Sequence, residues 1–173
     1  MNNEFFEKSK TFFDNRDLDN TLDYYDKALS YIDLKKDKSN YIRFLKEILK
    51  YCEENELLEQ EALVLRALGR TYSIFKLYVD SLKYHRESLE IQRKLGRKKE
   101  LAEGLLFLAE DLEICGNYDE CIDAFHGAAE IFQELGKLRK TKEIKKEISR
   151  LKEFSKEIVE DEYILQKFHV DKY

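Results

Sequence analysis

The chain repeats itself every forty residues. Residues 62–72 read Ala-Leu-Val-Leu-Arg-Ala-Leu-Gly-Arg-Thr-Tyr, and residues 102–112 read Ala-Glu-Gly-Leu-Leu-Phe-Leu-Ala-Glu-Asp-Leu, with matching residue classes. The downstream halves match as well: the stretch from Tyr78 to His85 lies against that from Tyr118 to Phe125, and both run on to a Leu-Gly pair, Leu95-Gly96 and Leu135-Gly136. A fixed period of this length is the signature of stacked structural units, each too small to close a core alone. Apolar residues recur at helical spacing, as in Leu65, Leu68 and Tyr72, then Leu82, His85, Leu89 and Ile91, so each unit reads as two helices. Gly96 and Gly136 fall where a helix must stop, because glycine enters the left-handed region without a Cβ clash. Gly116-Asn117 opens the turn inside the second unit, where the first has Lys76-Leu77.

The punctuation is unusual in one respect. None of the 173 residues is proline, where ordinary usage would place about nine. With six glycines and 39% charged residues, the chain is expected to be helical nearly throughout. Its 43% hydrophobic content, with eleven Phe and eleven Tyr, supplies a core and argues against disorder. The longest apolar run, Leu105 to Ala109, is far short of the roughly 20 residues a membrane span needs. The N-terminus carries acids where a signal peptide needs basic and apolar residues, and Cys52, Cys115 and Cys121 make an odd set that suits reduced thiols. Both point to a cytoplasmic protein. A net charge of −5 disfavours a general nucleic-acid binder.

Leu65-x2-Leu68-Gly69-x2-Tyr72, then Tyr78, Ser81, His85 and Ser88, resembles the tetratricopeptide repeat. The second unit resembles it more closely, with Leu105, Leu108-Ala109 and Leu112 on the first helix and the stretch from Gly116 through Cys121 and Phe125 to Ala128 on the second. Small residues at Ala109, Cys121 and Ala128 let two helices approach closely. The forty-residue spacing looks like the long-helix subtype of the family, although the proline that usually ends each unit is missing. The resemblance implies an all-α fold, a right-handed α-α superhelix of antiparallel helix pairs. The expected organisation is an N-terminal capping helix in 1–21, repeats at 22–61, 62–101 and 102–141, and a C-terminal capping helix with a tail in 142–173.

In the weak first copy, Tyr25, Ala28, Leu29 and Ile32 occupy one helix and Tyr41, Leu45 and Ile48 the next. A 34-residue register from Asn2, through Phe5, Ser9, Phe12, Thr21, Tyr25 and Ala28, competes with it. The forty-residue register is favoured because the other leaves the helix at Tyr41 to Tyr51 without a partner. Beyond Gly136 a helix is expected to run to about Phe168, with a seven-residue spacing of Ile144, Leu151, Ile158 and Leu165. It reads as a solvated cap. The distal part, with Tyr163, Ile164, Leu165 and Phe168, offers the alternatives of a homodimer or of folding back into the chain's own groove.

No catalytic constellation emerges, and no activity, metal or cofactor is expected. His85, His126 and His169 lack paired metal spacing, and His85 falls on an aromatic packing position. Cys115 and Cys121 do not make a structural zinc set, and no phosphate-cradling glycine loop is present. Basic residues cluster at two turns, Arg93, Lys94, Arg97, Lys98 and Lys99, then Lys137, Arg139, Lys140, Lys142, Lys145 and Lys146. Stacking would align them into a stripe for an acidic surface or RNA, whereas cations near helix C-termini and in turns are ordinary.

The family resemblance implies a sharper site. First helices of such repeats line a concave groove for a partner peptide, which carries over onto Leu63, Arg66, Ala67, Arg70, Ser73 and Ile74, and onto Glu103, Leu106, Phe107, Glu110, Glu113 and Ile114. Arg66 and Arg70 are expected to grip a carboxylate, and Leu106, Phe107 and Ile114 to hold an apolar side chain. The alternative for Leu106 and Phe107 is burial against the helix at 142–154. Asp26, Ser30, Arg66, Arg70, Leu106, Phe107 and Glu110 depart from the Lys and Asn set of the chaperone-tail clamp, which disfavours that partner. The expected function is a protein or peptide interaction module whose partner the sequence does not name.

Overall fold

The structure, a computed structural model, describes residues 3–170, with side chains as far as Glu157. Among them are eight α-helices and no strand: α1 Glu4–Asp14, α2 Leu18–Leu29, α3 Lys38–Glu54, α4 Leu58–Ile74, α5 Tyr78–Lys94, α6 Lys98–Ile114, α7 Tyr118–Glu134 and α8 Leu138–Val170. From α2 onward every helix starts twenty residues after the last. The expected unit boundaries at 22, 62 and 102 therefore fall one helical turn inside α2, α4 and α6.

The turns keep this phase. In each three-residue link between α3 and α8 the last N–H bonds to a carbonyl five residues back: Leu57 to Cys52, Leu77 to Tyr72, Arg97 to Gln92, Asn117 to Leu112 and Lys137 to Phe132, at 2.8–3.0 Å. This is the Schellman closure, and its middle residue must be left-handed. Gly96, Gly116 and Gly136 supply that conformation with φ of 67°, 77° and 70°. Lys76 (φ 58°), Glu56 (54°) and Arg16 (60°) adopt it without being glycine. A Cβ in this region costs about 1–2 kcal/mol, part of which glycine returns through its looser unfolded state. Lys76→Gly is expected to raise stability by about 0.5–1 kcal/mol in urea unfolding. An unchanged or lower midpoint would contradict the turn geometry.

One helix is cut short within this phase. α2 stops at Leu29, so Ile32 lies in the connection to α3, where the Asp33 and Lys35 N–H groups bond to the carboxylates of Asp37 and Asp33. α2 is held mainly by α1. The Ser9 hydroxyl donates forward to the Thr21 carbonyl at 2.7 Å, the reverse in chain direction of the twelve-residue bond from Ser81 of α5 back to Gly69 of α4 at 2.8 Å. The small positions of the 34-residue register, Ser9, Thr21 and Ala28, are thus the contact points of a close α1–α2 crossing, while the helix starts follow the twenty-residue phase. Against α3, α2 relies on large rings, with Tyr25 5.6 Å from Tyr41 and 6.3 Å from Phe44, and Phe6 of α1 stacks on Tyr41 at 3.9 Å.

The core has two parts. An aromatic N-terminal cluster joins Phe6, Phe13, Tyr25, Tyr41 and Phe44 to Leu68 and Tyr72, and a C-terminal one joins Leu108, Leu112, Phe125 and Phe132 to Ile144, Ile148 and Leu151. Between them α5 places buried His85 and Gln92 where, forty residues on, α7 has Phe125 and Phe132. α8 lies on α7 as far as Phe154, whose ring meets Tyr118 at 5.5 Å, and continues as helix to Val170. Those last sixteen residues rise about 24 Å. Through Val170 the chain continues as one helix without a reversal. The side chains of Ile158, Tyr163, Ile164, Leu165 and Phe168 lie outside those described.

Candidate peptide-binding groove

In a curved stack of helix pairs the inner row is the crowded one. α4 touches both α2 and α6 directly, whereas α3, α5 and α7 stand further apart, so the even-numbered helices form the inner wall. Side chains tie that wall together. Arg70 reaches Asp26 at 2.5 Å, Arg66 reaches Glu103 at 3.3 Å, Ser73 donates to Asp111 at 2.6 Å, and Arg150 reaches Glu113 at 2.7 Å. The Tyr25 and Thr71 hydroxyls share a hydrogen bond of 2.8 Å between α2 and α4, and burial pushes the Tyr25 phenol far above its usual pKa.

The ten expected groove residues all lie on α4 and α6 and keep some exposure on this wall. Their roles differ from those expected. The guanidinium groups of Arg66 and Arg70 are already committed to Glu103 and Asp26, and Arg70 also lies 4.8 Å above the Phe107 ring. To grip a partner carboxylate as expected, each would exchange a partner it already holds. Phe107 does not pack toward α8 either, but leans back on His85 at 6.1 Å between near-parallel rings. Leu106 sits half-buried at the edge of the C-terminal core, and Leu63 lines the α2–α4 cavity. Ile114 is 60% exposed, and Glu110 is exposed with no ion-pair partner among the described residues.

Three cavities open along the wall. One of about 180 Å³ lies between Leu22, Asp23, Asp26 and Leu63, Arg66, Ala67, Arg70. A second, about 160 Å³, is lined by Arg70, Ser73, Ile74, His85, Phe107, Glu110 and Asp111. The widest, about 620 Å³, is bounded by Glu110, Glu113, Ile114, Tyr118, Arg150 and Phe154. Tyr118, Arg150 and Phe154 were not among the expected residues, because the pattern gives no groove position to a second helix or to a cap.

A buried polar node beneath the second cavity also escaped the sequence. Asp111 is 2% exposed and accepts from Ser73; the Ser81 hydroxyl lies within bonding distance of both Asp111 and the Gly69 carbonyl. His85 Nε2 is 3.6 Å from Asp111, while Nδ1 is buried without a protein partner. Burial, reinforced by Arg70 and Arg66, lowers the His85 pKa to about 4, so the imidazole is neutral at physiological pH. The Glu110 carboxyl above it, although the residue is exposed, is raised by partial desolvation and then by the Asp111 charge, against the pull of Arg70 and Lys140. The sequence offered only that Thr71 and Asp111 are both polar and forty apart; their burial is seen in the structure.

The first basic turn is largely paired, whereas in the second only Arg139 is in an ion pair among the described residues. Lys94 pairs with Glu90, Arg97 with Glu59 and Glu100, Lys98 with Glu134, Lys99 with Glu103, and Arg139 with Glu143. Cys52 and Cys121 are buried, their thiols pushed up to about 11, chiefly by desolvation, and Cys115 is exposed. No helix among the described residues is long and apolar enough to cross a membrane.

Solved structures share this arrangement. The apo form of RapI superimposes with a TM-score of 0.59 at 15% identity, over 82% of this chain and 59% of that one. A signal-transduction ATPase with numerous domains and a tetratricopeptide repeat sensor, from Pyrococcus horikoshii, gives 0.57 at 16%, over 81% and 25%. The fold is a tetratricopeptide-like helical repeat. A Rap protein complexed with competence and sporulation factor gives 0.53 at 16%, over 85% and 52%. The chain thus spans between a quarter and three-fifths of the length of these tetratricopeptide-like neighbours. No protein-family model and no curated protein matches it in sequence.

Proposed function

We propose that this chain is a non-catalytic, cytoplasmic interaction module of the long-helix tetratricopeptide type, holding a segment of a partner protein on the inner wall of α4, α6 and α8. The observation that carries this reading is the 620 Å³ cleft between α6 and α8. It combines exposed Ile114, half-exposed Phe154 and the edge of Tyr118 with charged Glu110, Glu113 and Arg150, and apolar anchors within a charged rim are what a peptide groove requires. Helices of seventeen residues joined by three support the long-helix subtype. The neighbouring Rap protein in complex with competence and sporulation factor supports the mode of use by analogy of fold. The first basic turn is spent on Glu59, Glu90, Glu100, Glu103 and Glu134, so the two turns do not make one continuous unpaired stripe for RNA or an acidic surface.

Ile114→Asp combined with Phe154→Ser is expected to cut partner recovery in affinity capture at least about tenfold, since central apolar anchors carry about 2 kcal/mol or more. Helicity should not change, because both side chains are already exposed. Val79→Asp, 87% exposed on α5, is the control and should have no effect. Full recovery by the double variant would refute the groove.

A further inference from the structure

The inner wall is not electrostatically neutral where its cavities meet. Of the acids that α6 turns to the groove, Glu103 has Arg66 and Lys99, and Glu113 has Arg150; Glu110, between them, is in no ion pair among the described residues, with Arg70 and Lys140 acting on it only from a distance. Directly behind it lies the Asp111 carboxylate, held by the hydroxyls of Ser73 and Ser81 and by an imidazole that burial keeps uncharged. Those groups are dipoles. They satisfy the carboxylate oxygens and leave its charge uncancelled. Arg70, the one cation at this cavity, is offset by its own bond to Asp26. The 160 Å³ cavity thus opens onto two adjacent negative charges within low-dielectric walls, which strengthens their field.

Glu110 also borders the larger cleft, and Ile114 follows it by one helical turn, about 6 Å along α6. In an extended peptide, side chains two residues apart share a face at about 6.6 Å. Resting on the groove reading above, we infer that the partner segment carries a basic residue and, two positions on, an apolar one: Lys or Arg enters the cavity beneath Glu110 and Asp111 while Leu or Phe enters the cleft of Ile114, Tyr118 and Phe154. This is the charge opposite to the carboxylate that free Arg66 and Arg70 would have selected.

The test uses the full chain and capped peptides bearing Lys-x-Leu or Arg-x-Phe in a Ser/Gly background, titrated to millimolar concentration with NMR shifts as the readout. Glu-x-Leu and Glu-x-Phe peptides serve as the comparison. The basic peptides should bind at least about tenfold more tightly than the acidic ones and weaken with added salt. Glu110→Gln should reduce their affinity roughly five- to tenfold, and Glu110→Lys should erase the preference. Neither substitution touches the buried node, so the fold is retained. Binding of the acidic peptides that is lost in the Ile114 and Phe154 variant would keep the groove and overturn the basic residue. An unaltered preference in Glu110→Lys, or no shift with any basic peptide, would overturn the inference as well.

Discussion

Gly69→Ala is expected to destabilise the protein by about 2 kcal/mol, although alanine is the better helix former by about 1 kcal/mol. A Cβ built on Gly69 falls 2.6 Å from both Cε1 and Nδ1 of His85 and 2.8 Å from Cγ. Those atoms belong to a ring that is 1% exposed, stacked against Phe107 and beside Asp111, so moving it aside toward the cavity would give up both contacts. In a protein of this size the loss appears as a fall in melting temperature of about 4–8 °C. Gly127→Ala is the matched control. Its new Cβ meets only the Leu105 Cδ1 tip at 3.3 Å, and stability should stay level or rise by up to about 1 kcal/mol. If the two substitutions behaved alike, the close crossing of α4 and α5 would be wrong.

The second large effect is on pH dependence. His85 has a folded-state pKa of about 4 against an ordinary 6.5, so between those values the unfolded chain binds a proton that the folded chain refuses. Stability from this group is full above about pH 6.5 and is lost as the pH falls toward 4, by an amount on the order of 3 kcal/mol. Glu61 and Glu110 are raised by burial and act in the opposite sense near the bottom of that range, with smaller effect because both are partly solvated. Urea midpoints of the wild type should therefore drop between pH 7 and pH 4.5. In His85→Gln most of that slope should vanish. A wild-type midpoint that is flat across this range would mean the imidazole is not held neutral.

Both effects arise where the sequence was hardest to read. The forty-residue self-match, Leu95-Gly96 and Leu135-Gly136 define the helical phase because a left-handed cap has a residue type attached to it. Glu56 and Lys76 close identical turns, yet nothing in their chemistry announces it, and the absence of proline leaves no second marker. Positions on α4 and α6 could likewise be assigned to the inner wall from spacing, whereas the occupancy of Arg66 and Arg70 could not. Their partners, Glu103 and Asp26, lie thirty-seven and forty-four residues away, and only the stacking distance between helices decides whether such charges meet. Asp111 follows the same logic. A carboxylate on a charged helix reads as surface until Ser73, Ser81 and His85 are seen to surround it.

The central claim is that the row α4, α6 and α8 receives the partner. Amide hydrogen exchange of the full chain, measured with and without its captured partner, tests this directly. Protection should rise at the inner C-terminal turns of α4 and α6 and around Arg150 to Phe154 of α8, with α3 and α5 unchanged on their outer faces. Protection confined to α3, α5 and α7, with the Ile114 to Tyr118 segment unaffected, would contradict it.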